Sequence, residues 1–390
     1  MADIGGTNAR FGWVDGREGG AISRVSTLPT AEHADIAQAV HAYLGQVAAE
    51  LVEQWRPPRR AAFAVATAVA GDRVEFTNSP WQFSARQLQS DLGLQSLQVL
   101  NDFEALALAL PRLSASQYRA HGRAPDTTAT LAVVGPGTGL GVAGVTRARD
   151  GSWVALAGEG GHCTLSASND FENALLQYAR SEYEHVSAER LLSGIGLPVL
   201  HRAVAGVMGC SVQPLVAEQI VESGLARADA VCDQTLDVFC ALLGGFCGNV
   251  VLTLGARGGL YIGGGIVPRL GDRFFASSFR DRFEAKGRFG GYLQAVPSAV
   301  IVDTLVAHGA SVEPVGGRTW GSPLRTALVF GYREVAEALV RHGAQVQGLD
   351  VAAALGQADV VRRALSVSTP DERHRALAFA AQLGHAEVVD

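Results

Sequence analysis

Asn101 and Asp102 stand between an apolar run at 97–100 and a helix-forming run at 104–110 that Pro111 closes. The apolar run reads as a buried strand, so the pair falls at its carboxyl end, where ligands collect in open α/β sheets. An acid held there can take the proton of a reacting hydroxyl. The same two residue types are favoured helix caps, and the pair by itself fits either use.

Two glycine turns, each with a threonine, are suited to phosphate. Gly5-Gly6-Thr7-Asn8 reads as the tip of a hairpin whose second strand is 11–14. Its N–H groups can cradle phosphate oxygens, Thr7 adds a hydroxyl, and Asp3 is available to a hydrated cation. Gly135-Pro136-Gly137-Thr138-Gly139-Leu140-Gly141 repeats that logic between strands at 130–134 and 142–145. Two such turns could grip one polyphosphate from opposite sides of a cleft, although each also reads as a plain glycine hairpin. A third turn, Gly263-Gly264-Gly265, follows a strand at 260–262 and allows close approach of a base or a ribose. Its spacing is not G-x-G-x-x-G, so a dinucleotide-binding fold is not read.

Of the 32 basic residues, all but Lys286 are arginine. A P-loop and a protein kinase each need a lysine in a defined setting, and Glu284-Ala285-Lys286-Gly287-Arg288 is neither. A nucleotide must therefore be held by backbone N–H groups, hydroxyls and a metal ion. The remaining polar candidates are Glu159 and His162, in the loop 158–162, and Glu189. Ser187 is read as the cap of a helix that places Glu189 in its first turn, where the acid would also complement the helix dipole.

The positioning elements follow from periodicity. Helices are expected over 31–54, 85–92 (capped by Ser84), 171–178 and 230–254, and a strand over 61–70 with 74–76 as its hairpin partner. Residues 111–128 read as a polar inter-domain crossing. From 303 onward three similar phrases recur at 331–339, 356–365 and 384–389, and Ser322-Pro323-Leu324-Arg325-Thr326-Ala327 resembles the ankyrin T-P-L-H-x-A signature.

The length of 390 residues implies two or three domains, and 48% hydrophobic residues are enough for large cores. A net charge of −6 without a basic block argues against nucleic acid as partner. No run of eighteen uninterrupted apolar residues supports a membrane span, and no secretory leader is read. Five cysteines without a C-x-x-C pair read as reduced thiols of a cytoplasmic protein rather than a disulfide framework or a zinc site. Cys232, Cys240 and Cys247 share one apolar helix and are expected in its core.

Together these motifs resemble the bacterial glucokinase family, within the actin-like sugar kinases, from residue 2 to about 302. The resemblance implies an α/β, two-domain actin-like ATPase (ribonuclease H-like) fold with a cleft between its domains, at 1–110 and 111–302, and the recurring phrases add an all-α ankyrin-like tail at 303–390. It implies ATP-dependent phosphorylation of glucose at the 6-hydroxyl, with Asp102 as base and Asn101, Asp102, Glu159, His162 and Glu189 on the sugar. ATP is expected on Asp3, Gly5, Gly6, Thr7, Asn8, Gly137, Thr138, Gly139, Gly264 and Gly265, with Mg²⁺ near Asp3. A homodimer is implied, and a protein partner for the tail. The other readings are a kinase for a different hexose and a catalytically weak sugar binder acting through that tail. The sequence departs from the family at Ser79-Pro80, where a histidine commonly precedes Trp81, and after Asp303, where ankyrin-like sequence replaces the family's C-terminal segment.

Overall fold

The computed structural model describes residues 1–14, 22–76, 79–302, 349–355 and 357–364, with the single positions 373 and 376. These divide into two compact units, one drawn from Met1–Phe63, Gly71–Gln98 and Gly309–Asp390, the other from Ala64–Ala70 and Val99–His308.

In the first unit, strands β1 (Ala2–Ile4), β2 (Asn8–Val14) and β3 (Ile22–Pro29) form an antiparallel meander. Strand β4 (Arg60–Val65) and strand β7 (Ser96–Asn101) extend it to the order β3-β2-β1-β4-β7, and both strands run on into the second unit. Helix α1 (Ile36–Leu51) starts where Asp35 accepts a bond from the Gln38 amide, and it buries Ile36, Val40, Tyr43 and Val47 on one face. The Tyr43 ring stacks on Phe11 at 5.1 Å. Ser84 caps helix α2 (Ala85–Asp91) as the sequence implied, accepting from the Gln87 amide. Residues 73–75 are not the hairpin partner of the strand at 60–65. They form β5 (Arg73–Glu75), which pairs with β6 (Gln82–Ser84) in a separate two-stranded sheet.

The second unit is built on six strands in the order β11-β10-β9-β12-β13-β8. These are β8 (Tyr118–His121), β9 (Leu131–Pro136), β10 (Leu140–Arg147), β11 (Trp153–Leu156), β12 (Gly259–Ile262) and β13 (Ser298–Ile301). Strand β12 lies parallel to both β9 and β13, and the remaining pairings are antiparallel. Both faces are covered, so the central strands read as continuous apolar runs. Leu131, Val133, Ala143, Tyr261 and Ile301 share one buried cluster with Leu106, Ala107 and Leu110 of helix α3 (Asp102–Ala109) and the turn after it. Ala132, Val134, Val142 and Ile262 face the other way, into a cluster with helices α4 (Asp170–Glu182), α5 (Leu197–Val207), α6 (Ala217–Leu225) and α7 (Ala230–Leu254).

Helix α7 has the bounds read from the sequence, and Cys232, Cys240 and Cys247 are buried in it. It is long and apolar enough to cross a bilayer by length and composition, yet 72% of its most apolar window is buried inside the protein. It ends at Gly255 in the left-handed region, φ 64°. Glu172 of α4 is buried and takes the Arg282 guanidinium at 2.8 Å, joining α4 to the short helix Phe279–Glu284. The stretch 111–128 is not merely a crossing, because β8 lies within it and closes one edge of the sheet by pairing with β13.

The phrases at 331–339 and 384–389 and the signature at 322–327 lie outside the described residues. Within 349–364, two short helices, Leu349–Ala354 and Ala358–Ala364, bury Leu349, Ala352, Ala353 and Val361 in one small cluster with Ala376.

Candidate active site

Asn101 and Asp102 sit where β7 passes into α3, as the sequence implied, and Asn101 does cap the helix. Its Oδ1 accepts from the Phe103 amide at 2.9 Å and from the Glu104 amide at 3.4 Å, while its Nδ2 donates to the Thr67 carbonyl at 3.1 Å. Capping and a place at the strand end are therefore one arrangement. Asp102 is the first residue of α3, half-buried, with its Oδ1 accepting from the Phe103 amide at 2.9 Å. The Phe103 amide is shared by the Oδ1 atoms of Asn101 and Asp102, and this restrains the carboxylate's direction.

Phe103 carries the acid's position to the second glycine turn. A Cβ built at Gly135 or at Gly141 would fall inside the Phe103 ring, so both glycines are required for the ring to lie on the hairpin of β9 and β10. The hairpin tip is held by Gly137 N donating to Gly139 O at 2.9 Å, and by Gly194 and Ile195 donating to the carbonyls of Gly137 and Thr138 at 2.7 and 3.3 Å. The third glycine turn packs against the same hairpin: Gly263 N donates to Val134 O at 2.9 Å. Gly264 has φ +73°, and a Cβ there would overlap the Pro136 carbonyl. Beside Gly137 and Gly265 a Cβ would meet nothing within 4 Å, so the two turns adjoin each other with open space at both residues.

Glu189 joins the other polar candidates to this hairpin. Its Oε2 accepts from the Leu140 amide at 2.8 Å, and its Oε1 lies 4.0 Å from His162 Nδ1. His162 is 61% exposed and Glu189 only 23%, so the imidazole is open to solvent and the acid is sheltered behind it. Glu159 is exposed, bridges in parallel fashion to Val142 of β10, and its carbonyl accepts from the His162 amide at 3.0 Å. The expected helix at 187–194 is absent. Residues 188–196 are turns and bends held by Ser187 Oγ on the Arg190 amide and Ser193 Oγ on the Gly196 amide, and α5 begins only at Leu197. Glu189 is thus fixed by the hairpin and not by a helix dipole.

The other phosphate candidates belong to the first unit. Gly5 N donates to Asn8 O at 2.9 Å to close the tip, and Thr30 holds the carbonyls of Gly6 and Thr7 at 2.8 and 2.9 Å. Thr7 and Asn8 are exposed, and Asp3 pairs across β1 and β2 with Arg10 at 3.5 Å. Phe103, Thr67 and the Leu140 amide are positioning groups that the sequence reading missed. No spacing marks them, because each acts through a contact made only in the fold.

Residues 1–312 match the family described as Glucokinase. This chain belongs to the glucokinase family. Among glucokinase-family relatives, it is 48% identical over 304 residues to the glucokinase of Aromatoleum aromaticum, covering 77% of this chain and 89% of that one. It is 46% identical over 303 residues to a glucokinase of Neisseria meningitidis, covering 77% and 90%. The crystal structure of a glucokinase from an Antarctic psychrotroph superposes with a TM-score of 0.72 at 37% identity, covering 79% of this chain and 95% of that one.

Proposed function

We propose that this chain is an ATP-dependent glucokinase that transfers the terminal phosphoryl group to the 6-hydroxyl of glucose. The family supports the reaction, and the joining of Asp102 to the glycine hairpin through Phe103 is the observation that carries the assignment of roles.

Phosphoryl transfer to an alcohol is mostly positioning and charge stabilisation, with a carboxylate to take the hydroxyl proton. Asp102 is assigned as that base. Its rotamer is fixed by the Phe103 amide, and its distance from the hairpin is fixed by the Phe103 ring. Asn101, Glu159, His162 and Glu189 are assigned to sugar hydroxyls. A site that pairs many hydroxyls rejects analogues lacking them, because its own polar groups are then left unpaired.

Gly137, Thr138, Gly139, Gly264 and Gly265 are assigned to ATP on the second unit, where the open space beside Gly137 and Gly265 suits phosphate and ribose. Asp3, Gly5, Gly6, Thr7 and Asn8 are assigned to phosphate on the first. Asp3 and Thr7 are oxygen donors of the kind a hard, hydrated cation takes, so Mg²⁺ fits there. When bound, Mg²⁺ supplies positive charge to the phosphate oxygens. The same reading carries a cytoplasmic homodimer. For 303–390 it carries ankyrin-like repeats that contact a protein partner, on the strength of the recurring phrases and the helix pair within 349–364.

Sugar-dependent ADP formation in a coupled assay tests the reaction. Glucose should give the largest response among hexoses, and folded protein that no hexose stimulates would end this reading.

A further inference from the structure

We propose that His201, Asp229 and Cys232 form a site for a zinc-type divalent cation, separate from every residue assigned to sugar or phosphate. Among the described residues these three bring one ligand atom each to within 4.8 Å of one another. His201 lies on α5 and Cys232 in the first turn of α7, both fully buried, while Asp229 is the exposed N-cap of α7.

The geometry is that of a tetrahedral edge. Cys232 Sγ and His201 Nε2 are 3.5 Å apart. Zinc bonds of about 2.3 Å to sulfur and about 2.05 Å to nitrogen, at the tetrahedral angle, require a separation of about 3.6 Å, within about 0.1 Å of that observed. A buried His–Cys hydrogen bond gives the same distance; what makes a metal site of the pair is that the N-cap carboxylate of α7 brings a third ligand atom within reach of both. Asp229 is held over the pair because its Oδ1 accepts from the Cys232 amide at 2.8 Å, and a carboxylate has a second oxygen to offer.

The donor types also select the ion. Imidazole, thiolate and carboxylate form a borderline set that suits zinc and excludes the hard Mg²⁺ of the phosphate region. The metal-free site carries the Cys232 thiol as S–H against the His201 ring nitrogen. On binding, that S–H bond breaks, the proton leaves to solvent and a metal–sulfur bond forms, with no change of oxidation state. Three protein ligands leave a fourth position for water on the exposed Asp229 side. The ion would pin α5 to the start of α7.

Cobalt(II) is the probe, added to the full chain after chelator treatment, with the exposed thiols removed as Cys163→Ser and Cys210→Ser. A thiolate-to-cobalt charge-transfer band should rise to one equivalent, fall on addition of Zn²⁺, and be lost in Cys232→Ser. Because that variant sits in the core, Asp229→Asn provides the second arm. Asparagine caps a helix as well as aspartate does, so the metal-free melting midpoint should hold while cobalt affinity falls at least tenfold. Absence of the band, its persistence in Cys232→Ser, or unchanged affinity in Asp229→Asn would each overturn the site.

Discussion

The Phe103 ring lies on Gly141 so closely that the glycine has no room for a methyl group. The residue that follows the proposed base is therefore packed on the turn proposed to hold phosphate, and both lie in the second unit. Gly141→Ala should force the ring aside at about 1–3 kcal/mol of stability, the usual range for overpacking. Phe103→Leu in the same chain should recover part of that loss, a coupling that urea midpoints of the two single variants and the double variant would measure. Strict additivity would mean that ring and turn do not touch.

Asp102→Asn separates proton transfer from binding. The amide still hydrogen-bonds, so glucose affinity should stay within about tenfold, or about 1.4 kcal/mol. Turnover should fall roughly a hundredfold or more, as when a general base is lost. Near-normal turnover would remove Asp102 from the mechanism.

Glu189 is expected to act on both fold and sugar. Glu189→Ala strips the Leu140 amide of its charged acceptor and should cost about 1.5–3 kcal/mol. Glu189→Gln, which retains an acceptor oxygen, should restore the unfolding midpoint but leave glucose affinity below wild type. Equal sugar affinity in all three proteins would take Glu189 out of the sugar site.

Much of this was legible in the sequence because it depends on local order. The apolar run before Asn101, the two threonine-bearing turns and the uninterrupted apolar stretch of α7 each announce themselves within a few residues. Strand β3 does not, since Ile22, Val25 and Leu28 recur every three residues. The register shifts opposite Phe11 and Trp13, and Arg24 takes φ +50° to accommodate the extra residue. Strand β8 is hidden for a different reason. Tyr118-Arg119-Ala120-His121 is an edge strand of only 4 residues, too short for its alternation to stand out from the polar stretch around it. Glu189 was found by type and misplaced by element, because Ser187 makes a cap-like bond to Arg190 without a helix behind it. The hold of Phe103 on the hairpin depends on chain segments more than thirty residues apart meeting, and spacing carries no trace of that.

Arg282→Ala should be among the most damaging single changes in the second unit. It leaves Glu172, whose side chain is 3% exposed, with a buried charge and no guanidinium. Removing one partner of such a pair costs about 3–5 kcal/mol. Chemical denaturation would show it, and a loss of less than half that size would mean that water reaches Glu172 readily.

His121 gives the fold an acid-side weakness. Burial first, then Arg280 and Arg119, against Glu284 and Asp281, hold its imidazole below the ordinary value of 6.5, and its buried Nδ1 has no hydrogen-bond partner among the described residues. The unfolded chain therefore takes up this proton at a higher pH than the folded chain does. Its contribution to stability is complete above pH 6.5 and is lost as pH falls from there through the lower folded value. Midpoints measured on either side of pH 6.5 should show this fall in the parent and a shallower one in His121→Gln.

Glu189 serves two masters with one carboxylate, the hairpin through one oxygen and the His162 side through the other. A hexose that draws on this acid would alter what remains for the Leu140 amide, and so perturb the turn proposed to hold nucleotide. Linkage then works in both directions: by whatever factor bound sugar changes the affinity for nucleotide, bound nucleotide must change the affinity for sugar by the same factor. Neither substrate would have an affinity of its own that could be quoted without stating how much of the other is present.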